Sequence, residues 1–219
     1  IMVLAEKIST DILSSGECLP WPVVTGCERL TPGCDNCPTY WEYKKNGLDY
    51  SPVVHTDALY TPHINQYAGT YEVAPGSDLF HESVPIEFIQ LVFKMMKMCS
   101  WHQFEVVTKR AERMEMVSNK FIEWPDNVLA GVAVEEERYV WRIDCLRRIA
   151  ARRMVSFGPI VNRIGKVNLS GISRAGVVPE SWGPNPRECK DTWISEIKTQ
   201  CEDQGTVFVN NIWICKETF

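Results

Sequence analysis

With 219 residues, 45% of them hydrophobic and 23% charged, and a net charge of −5, the sequence has the balance of an ordinary soluble globular protein that can bury a core without staples. No run approaches about eighteen apolar residues, which excludes a membrane-spanning helix, and the acidic balance excludes a chain held to nucleic acid by overall charge alone. Nine cysteines, three of them clustered and the rest scattered through apolar or helical contexts, exclude a secreted disulfide scaffold and fit a reducing compartment.

Residues 1–20 show little periodicity and are expected to pack across one end of the fold. Residues 21–26 read as a first strand leading into Cys27-Glu-Arg-Leu-Thr-Pro-Gly-Cys34-Asp-Asn-Cys37, a C-x6-C-x2-C spacing. Thr31-Pro32-Gly33 predicts a turn that brings Cys27 back to Cys34 and Cys37. Thiols this close serve a metal, a redox pair or a disulfide. A closed zinc site takes four ligands, and Cys18, upstream of Cys27, is available as the fourth; a four-iron cluster held by three cysteines keeps one iron open to a small molecule. Spacing alone leaves zinc and cluster level.

Residues 38–51 predict a helix closed by Asn46-Gly47, 52–69 a loop excursion carrying His55 and His63, and 70–76 a second strand. Ser83 is placed to cap, and Pro85 to open, a helix on which Ile86, Ile89, Phe93, Met96 and Cys99 share a face; Met95, Met96 and Met98 read as gap-filling side chains. Strand three follows at 104–108, a helix at 111–119, strand four at 128–134, a helix at 138–151, strand five at 153–157 and strand six at 167–172. Residues 174–186 read as a Gly- and Pro-rich loop, 191–204 as a helix stopped by Gly205, and 207–214 as a last strand.

Strands alternating with helices predict βαβ units and a parallel sheet in an α/β fold. Six or seven repeats suit an incomplete barrel of (β/α)6 type, one domain over 1–219 with the cysteine loop at 27–37, and no GxGxxG or Walker loop argues for a doubly wound sheet. In a barrel the chemistry sits at the carboxyl ends of the strands. There the sequence places the cysteines after strand one, Ser77 and Asp78 after two, Lys109 and Arg110 after three, Glu135 after four and Arg174 after six. That coincidence points to an enzyme. With no basic-then-apolar leader, the expected location is the cytoplasm, the host's if the source is viral.

Five segments carry a resemblance: Trp21-Pro-Val-Val-Thr-Gly-Cys27, Thr31-Pro-Gly-Cys-Asp-Asn-Cys37, Ser77-Asp-Leu-Phe-His-Glu82, Val107-Thr-Lys-Arg-Ala-Glu-Arg-Met114 and Gly131-Val-Ala-Val-Glu135. In that order they resemble a phage and bacterial three-cysteine family of unknown function whose members look like radical S-adenosylmethionine (SAM) enzymes with an altered cysteine spacing. Three segments depart from the family. Cys37-Pro-Thr-Tyr40 stands for Cys-Tyr-Ala-Glu, Gly158-Pro-Ile160 for Glu-Pro-Leu after strand five, and Gly171-Ile-Ser-Arg174 for Gly-Gly-Glu-Ser after strand six, which implies a different substrate.

The resemblance implies that Cys27, Cys34 and Cys37 hold a 4Fe-4S cluster whose open iron binds SAM, with an external one-electron reductant and a 5′-deoxyadenosyl radical as the product of SAM cleavage. It implies Ser77 and Asp78 on the SAM ammonium or ribose, Lys109 and Arg110 on its carboxylate or a substrate phosphate, and Glu135 on ribose hydroxyls. The plainer roles are a turn or helix cap for Ser77 and Asp78, a solvated helix start for Lys109 and Arg110, where cations are mildly unfavourable, and a charged helix start for Glu135. His81 reads as a structural hydrogen-bonder. The family's phage context implies an isomerase of an amino-acid-bearing thymine in DNA; another nucleotide, RNA or a peptide is the alternative substrate, and a zinc-stabilised binding module the alternative class. A DNA partner would be held by Arg147, Arg148, Arg152 and Arg153, with Arg163, Lys166 and Arg174.

Overall fold

The computed structural model describes residues 18–210. Expectations for residues 1–17 and for 211–214 of the last strand lie outside the described residues. Seven parallel strands form one curled half-barrel in the order β1 (Cys18–Trp21), β4 (Thr70–Val73), β5 (Gln103–Thr108), β6 (Val128–Ala133), β7 (Arg152–Ile160), β8 (Arg174–Pro179) and β9 (Val207–Asn210). This is an incomplete α/β barrel of parallel strands, with one strand more than a (β/α)6 count. A separate two-stranded antiparallel ladder joins β2 (Val24–Thr25) to β3 (Val53–Val54).

The first expected strand divides. β1 ends at Trp21 because Pro22 follows with no N–H for the ladder, while Pro20 is tolerated because β1 is an edge strand. Residues 24–25 belong to the small ladder instead. The first crossover also holds α1 (Pro38–Lys45), with Asn46 as its C-cap, and the short α2 (Thr61–Ile64).

Three crossovers carry a helix against the outer face: α3 (Ile86–Met98), α4 (Ala111–Phe121) and α5 (Arg142–Arg147), and α6 (Asp191–Asp203) follows β8. α3 buries Phe88, Ile89, Val92, Phe93, Met95 and Met96, each at about 1.5–3 kcal/mol, while Met98 faces solvent. Pro85 occupies its N-cap position, and Ser83 does not cap it. Every residue of β6 is buried, as a strand covered on both faces requires. α5 is shorter than the expected helix 138–151 because the Arg153 guanidinium takes the Leu146 and Ile149 carbonyls at 3.1 and 2.7 Å and closes it.

The expected strand 167–172 is not one. Val167, Leu169 and Ile172 are buried, which reproduces a strand-like alternation. However, their backbone is held by side chains of α6: the Val167 and Leu169 N–H groups donate to Gln200 Oε1 and Gln204 Oε1, both at 2.8 Å. Strand six is the next segment, β8, which was expected to be loop. Its Ala175-Gly-Val-Val178 is buried between β7 and β9.

This shift moves Arg174 from a carboxyl end to an amino end, where it pairs with Glu105 and lies 3.5 Å from Met154 Sδ inside the barrel floor. The other expected DNA contacts divide, since Arg163 and Lys166 follow the carboxyl end of β7. Arg152 and Arg153 open β7 and Arg147 and Arg148 end α5, far from the carboxyl ends, and Arg147, Arg148 and Arg163 are paired with Asp144, Glu115 and Glu196. No helix among the described residues is long and apolar enough to cross a membrane.

Candidate active site

At the carboxyl ends of the strands lies a cleft of about 690 Å³ whose wall draws on five successive strands. Glu72, Ser77 and Asp78 come from β4 and its loop, Val107 to Arg110 from β5, Ala133 from β6, Ser156 and Gly158 from β7, and Val178 and Glu180 from β8. The cysteine loop roofs it: Cys27, Cys34 and Cys37 all line the same space. Burial raises the Tyr50 phenol, and the charges of Cys37, Cys27 and Cys34 add to that, so one ring feels all three thiols.

The loop takes this shape because it is anchored from below. Gly26 turns with φ +72°, and a side chain there would sit 2.2 Å from Ser51 O. Cys27 N–H then donates to Tyr50 O at 2.9 Å, and Ser77 Oγ donates to Gly26 O at 2.5 Å. Pro32–Cys34 forms a single 3-10 turn, with Cys34 N–H on Thr31 O at 2.8 Å. Thr31 Oγ1 donates to Glu135 Oε1 at 2.6 Å.

Glu135 is fully buried. Its Oε1 also meets Lys109 Nζ at 2.8 Å and its Oε2 meets Arg142 Nη1 at 2.7 Å. Burial pushes this carboxyl up, but the Lys109 and Arg142 charges outweigh it and hold it below the usual carboxylate range. Both oxygens are therefore engaged within the protein. Lys109 Nζ also reaches Cys34 Sγ at 3.3 Å. Burial disfavours the Lys109 charge, but Glu135 and Cys34 outweigh it and keep the ammonium charged. Burial likewise pushes the Cys34 thiol up, but Lys109 and hydrogen bonds from Thr31 and Leu30 bring it below its ordinary value.

Asp78 is buried and saturated: Thr108 Oγ1 donates to its Oδ1 and Oδ2 at 2.7 and 2.8 Å, Phe80 N–H to Oδ1 at 2.9 Å, and Arg110 Nη1 to Oδ2 at 3.0 Å. Its first effect is thus to hold Arg110, whose Nη1 lies 3.9 Å from Cys27 Sγ. Burial and then the Asp78 charge push the Cys27 thiol up to about 11, with Arg110 opposing. His81 accepts the Ser83 N–H on Nδ1 at 3.1 Å, so the neutral ring carries its proton on Nε2, 3.9 Å from Glu28 Oε2. Glu28, His81 and Glu82 could close on one metal ion, but a protonated Nε2 cannot ligate, and the Arg110 guanidinium already sits among them.

Two residues that sequence reasoning missed complete the roof. Glu180 Oε2 accepts Asn36 Nδ2 at 2.9 Å and both the N–H and Nε of Arg187 at 2.8 Å, while Arg187 Nη2 donates to Pro32 O at 2.6 Å. Burial raises the Glu180 carboxyl, but its bonds to Arg187 and Asn36 outweigh that and lower it. The signal that could have found Glu180 is a charged residue directly after an apolar Val-Val-Pro. Once β8 is placed, the segment after strand six is Glu180-Ser181 and not Gly171 to Arg174. It keeps the Glu-Ser of the family pattern, whereas Gly158 does line the cleft where that pattern has Glu.

The donor set fits a cluster better than one zinc ion. Among the described residues only Glu28, His81 and Glu82 bring three ligand atoms all within 4.8 Å of one another, so the three cysteine sulfurs are not all within that distance of one another. A tetrahedral zinc with Zn–S of about 2.3 Å draws its sulfurs to about 3.8 Å apart. Cys18 cannot be a fourth ligand, because it opens β1 beside Thr70, at the amino end of the sheet.

Comparison with known proteins agrees with this architecture. Residues 18–215 match the family described as Protein of unknown function (DUF5131). Among curated proteins none matches. Two single-substitution variants of spore photoproduct lyase superpose with TM-scores of 0.54 and 0.53 at 10% identity, covering 89% and 90% of this chain and 76% of theirs. The same lyase complexed with dinucleoside spore photoproduct gives 0.49 at 10% identity over 84% of this chain. This chain spans 61% of the length of that one.

Proposed function

This chain belongs to the DUF5131 family, and from its own site we propose that it is a radical SAM enzyme acting on a base in DNA. The observation that carries the reading is the three-thiol roof over a cleft at the carboxyl ends of a parallel half-barrel. Cys27, Cys34 and Cys37 would hold the 4Fe-4S cluster, which with SAM and an external one-electron reductant supplies a 5′-deoxyadenosyl radical for hydrogen abstraction. The remaining work falls to the protein. Lys109 and Arg110 provide positive charge facing the cleft, suited to a carboxylate. Ser77, Asp78 and Glu135 fix the loop, Arg110 and Lys109 respectively, so that the cofactor side is held before substrate arrives. The barrel wall of Val107, Ala133 and Val178 excludes water from the reacting carbon.

The substrate reading is an amino-acid-bearing thymine that is isomerised, its amino acid moving from a nitrogen link to a carbon link. Support comes from the cleft's form. Trp182, 44% exposed, and Leu30, 47% exposed, line its mouth and offer flat apolar surface to a planar base that has left the duplex stack. Backbone phosphates would meet Arg29 and, on α1, Lys44 and Lys45 in place of the distal arginines.

Anaerobic reconstitution tests the assignment. Wild type should bind iron and sulfide, absorb broadly, and release 5′-deoxyadenosine with SAM and reductant. Ala at Cys27, Cys34 or Cys37 should lose the cluster, and Cys18→Ala should keep it. Stoichiometric zinc without sulfide, or equal metal loss in Cys18→Ala, would overturn the reading. Base analysis of DNA bearing glycine-modified thymine, beside the free nucleoside, tests the substrate.

A further inference from the structure

The three thiols have unlike partners. Cys34 Sγ accepts a hydrogen bond from Lys109 Nζ at 3.3 Å, and Cys27 Sγ lies 3.9 Å from Arg110 Nη1. Cys37 Sγ meets the Tyr50 hydroxyl at 3.8 Å, and that hydroxyl donates to Gly76 O at 2.8 Å. Two thiols therefore rest on cations and the third on a phenol whose proton is committed elsewhere. The cations are not equivalent. Arg110 is matched by Asp78 at 3.0 Å and Glu82 at 2.6 Å. Among the described residues Lys109 pairs with Glu135, and that carboxylate is shared with Arg142. Lys109 thus carries the less neutralised charge, at the shorter distance to sulfur.

We propose that Lys109, tethered and partly neutralised by Glu135, sets the reduction potential of the three-thiolate centre. This rests on the cluster reading above and goes beyond a role in binding the SAM carboxylate. A four-iron cluster with three thiolate ligands is anionic, and taking one electron from a low-potential donor makes it more so. A fixed cation against one ligand sulfur in a water-poor site stabilises the added charge and favours the reduced form. Glu135, 2.8 Å from the same ammonium, opposes it. The pair therefore predicts shifts of opposite sign: Lys109→Met makes reduction harder, and Glu135→Gln makes it easier, its single amide oxygen able to accept from Thr31 or from Arg142 but not from both.

The test is a redox titration of anaerobically reconstituted protein in the absence of SAM, followed by electron paramagnetic resonance. Iron and sulfide are assayed beside it. Each single variant should change the reduction equilibrium at least about tenfold, which is about 59 mV for one electron, negative for Lys109→Met and positive for Glu135→Gln. The double variant Lys109→Met/Glu135→Gln should fall between them. It covers the case in which Lys109→Met alone fails to fold because Glu135 has lost a partner. A full complement of iron and sulfide with Glu135→Gln unmoved, or with both singles shifted the same way, overturns this inference and leaves the cluster standing. Failure of wild type to bind iron and sulfide overturns the cluster reading itself.

Discussion

The sharpest perturbation of the site is one methyl group at Gly33. A Cβ there would lie 2.6 Å from Glu135 Cγ and 3.0 Å from its Oε1, about 0.8 Å inside ordinary contact with the carbon. The backbone of Gly33 is outside the left-handed region, so Gly33→Ala carries no φ strain and its effect is the collision alone. Glu135 cannot yield, because Lys109, Thr31 and Arg142 hold both its oxygens at 2.6–2.8 Å. The loop must lift instead, against the Thr31–Glu135 bond and the Arg187–Pro32 bond, both 2.6 Å. Overpacking of this kind costs about 1–3 kcal/mol. A chain of this size loses about 2–4 °C in Tm per kcal/mol, so a mid-range cost lowers Tm by about 4–8 °C. The same lift displaces Cys34 from Lys109, so iron per chain after reconstitution should fall with it. Thermal unfolding by circular dichroism and iron analysis on one sample are the assay. A Gly33→Ala protein with wild-type Tm and full iron would show that Glu135 is mobile, and would refute the account of it as the loop's fixed anchor.

Arg187→Ala should lower stability by about 2 kcal/mol, since it strips a buried carboxylate of its charged partner; the figure is at the low end because the Arg187 side chain is 32% exposed and partly screened. Chemical denaturation measures it, and Glu180→Gln should lose less than Arg187→Ala; the reverse order would sink the pairing argument. Trp182→Ala should weaken binding of a thymine-bearing single strand by about 1–3 kcal/mol if the ring stacks on a base, whereas Trp182→Phe should keep most of it with iron content unchanged in both. Equal losses in the two variants, measured by fluorescence anisotropy of the labelled strand, would exclude stacking.

Much of this fold was legible because its period was. The α3 face through Ile89, Phe93 and Met96, the apolar β6, and the helix–strand alternation translate directly into burial. The cysteines with Ser77, Asp78, Lys109, Arg110 and Glu135 were legible as a set because a parallel barrel collects its strand ends. What failed was β8. A strand buried between two neighbours needs little alternation, and Gly176 and Pro179 give it the look of a loop. Val167, Leu169 and Ile172 mimic a strand because glutamines on α6 replace the missing ladder, an arrangement no local pattern records. Glu180 and Arg187 were lost with β8, and the basic residues of 147–153 were misplaced because a charge cluster does not say which end of a sheet it occupies. Roles were less legible than positions. Sequence suggests that Asp78 and Glu135 face a ligand, but their oxygens are filled from within the protein, and that is a property of distant partners.

Those filled carboxylates tie a loop of short-range turns, and the three thiols on it, to the barrel. The loop is tied at three separated points: Gly26 to Ser77 after β4, Thr31 to Glu135 after β6, and Pro32 and Asn36 to Arg187 and Glu180 after β8. Each tie ends on a different strand, so the sheet's own rigidity sets the spacing of the ties. Closing the loop therefore draws on folding free energy already released in the barrel, unlike a small zinc module in which the metal itself supplies it. The arrangement has an electrostatic cost: the Glu135 and Asp78 carboxyl groups are buried, and each has a cation against it. Lys109 and Arg110, the cations that meet this need, are also the ones beside Cys34 and Cys27. The charge that stabilises the loop is thus the charge that faces the cleft, and loop geometry and site electrostatics cannot be varied independently in this fold.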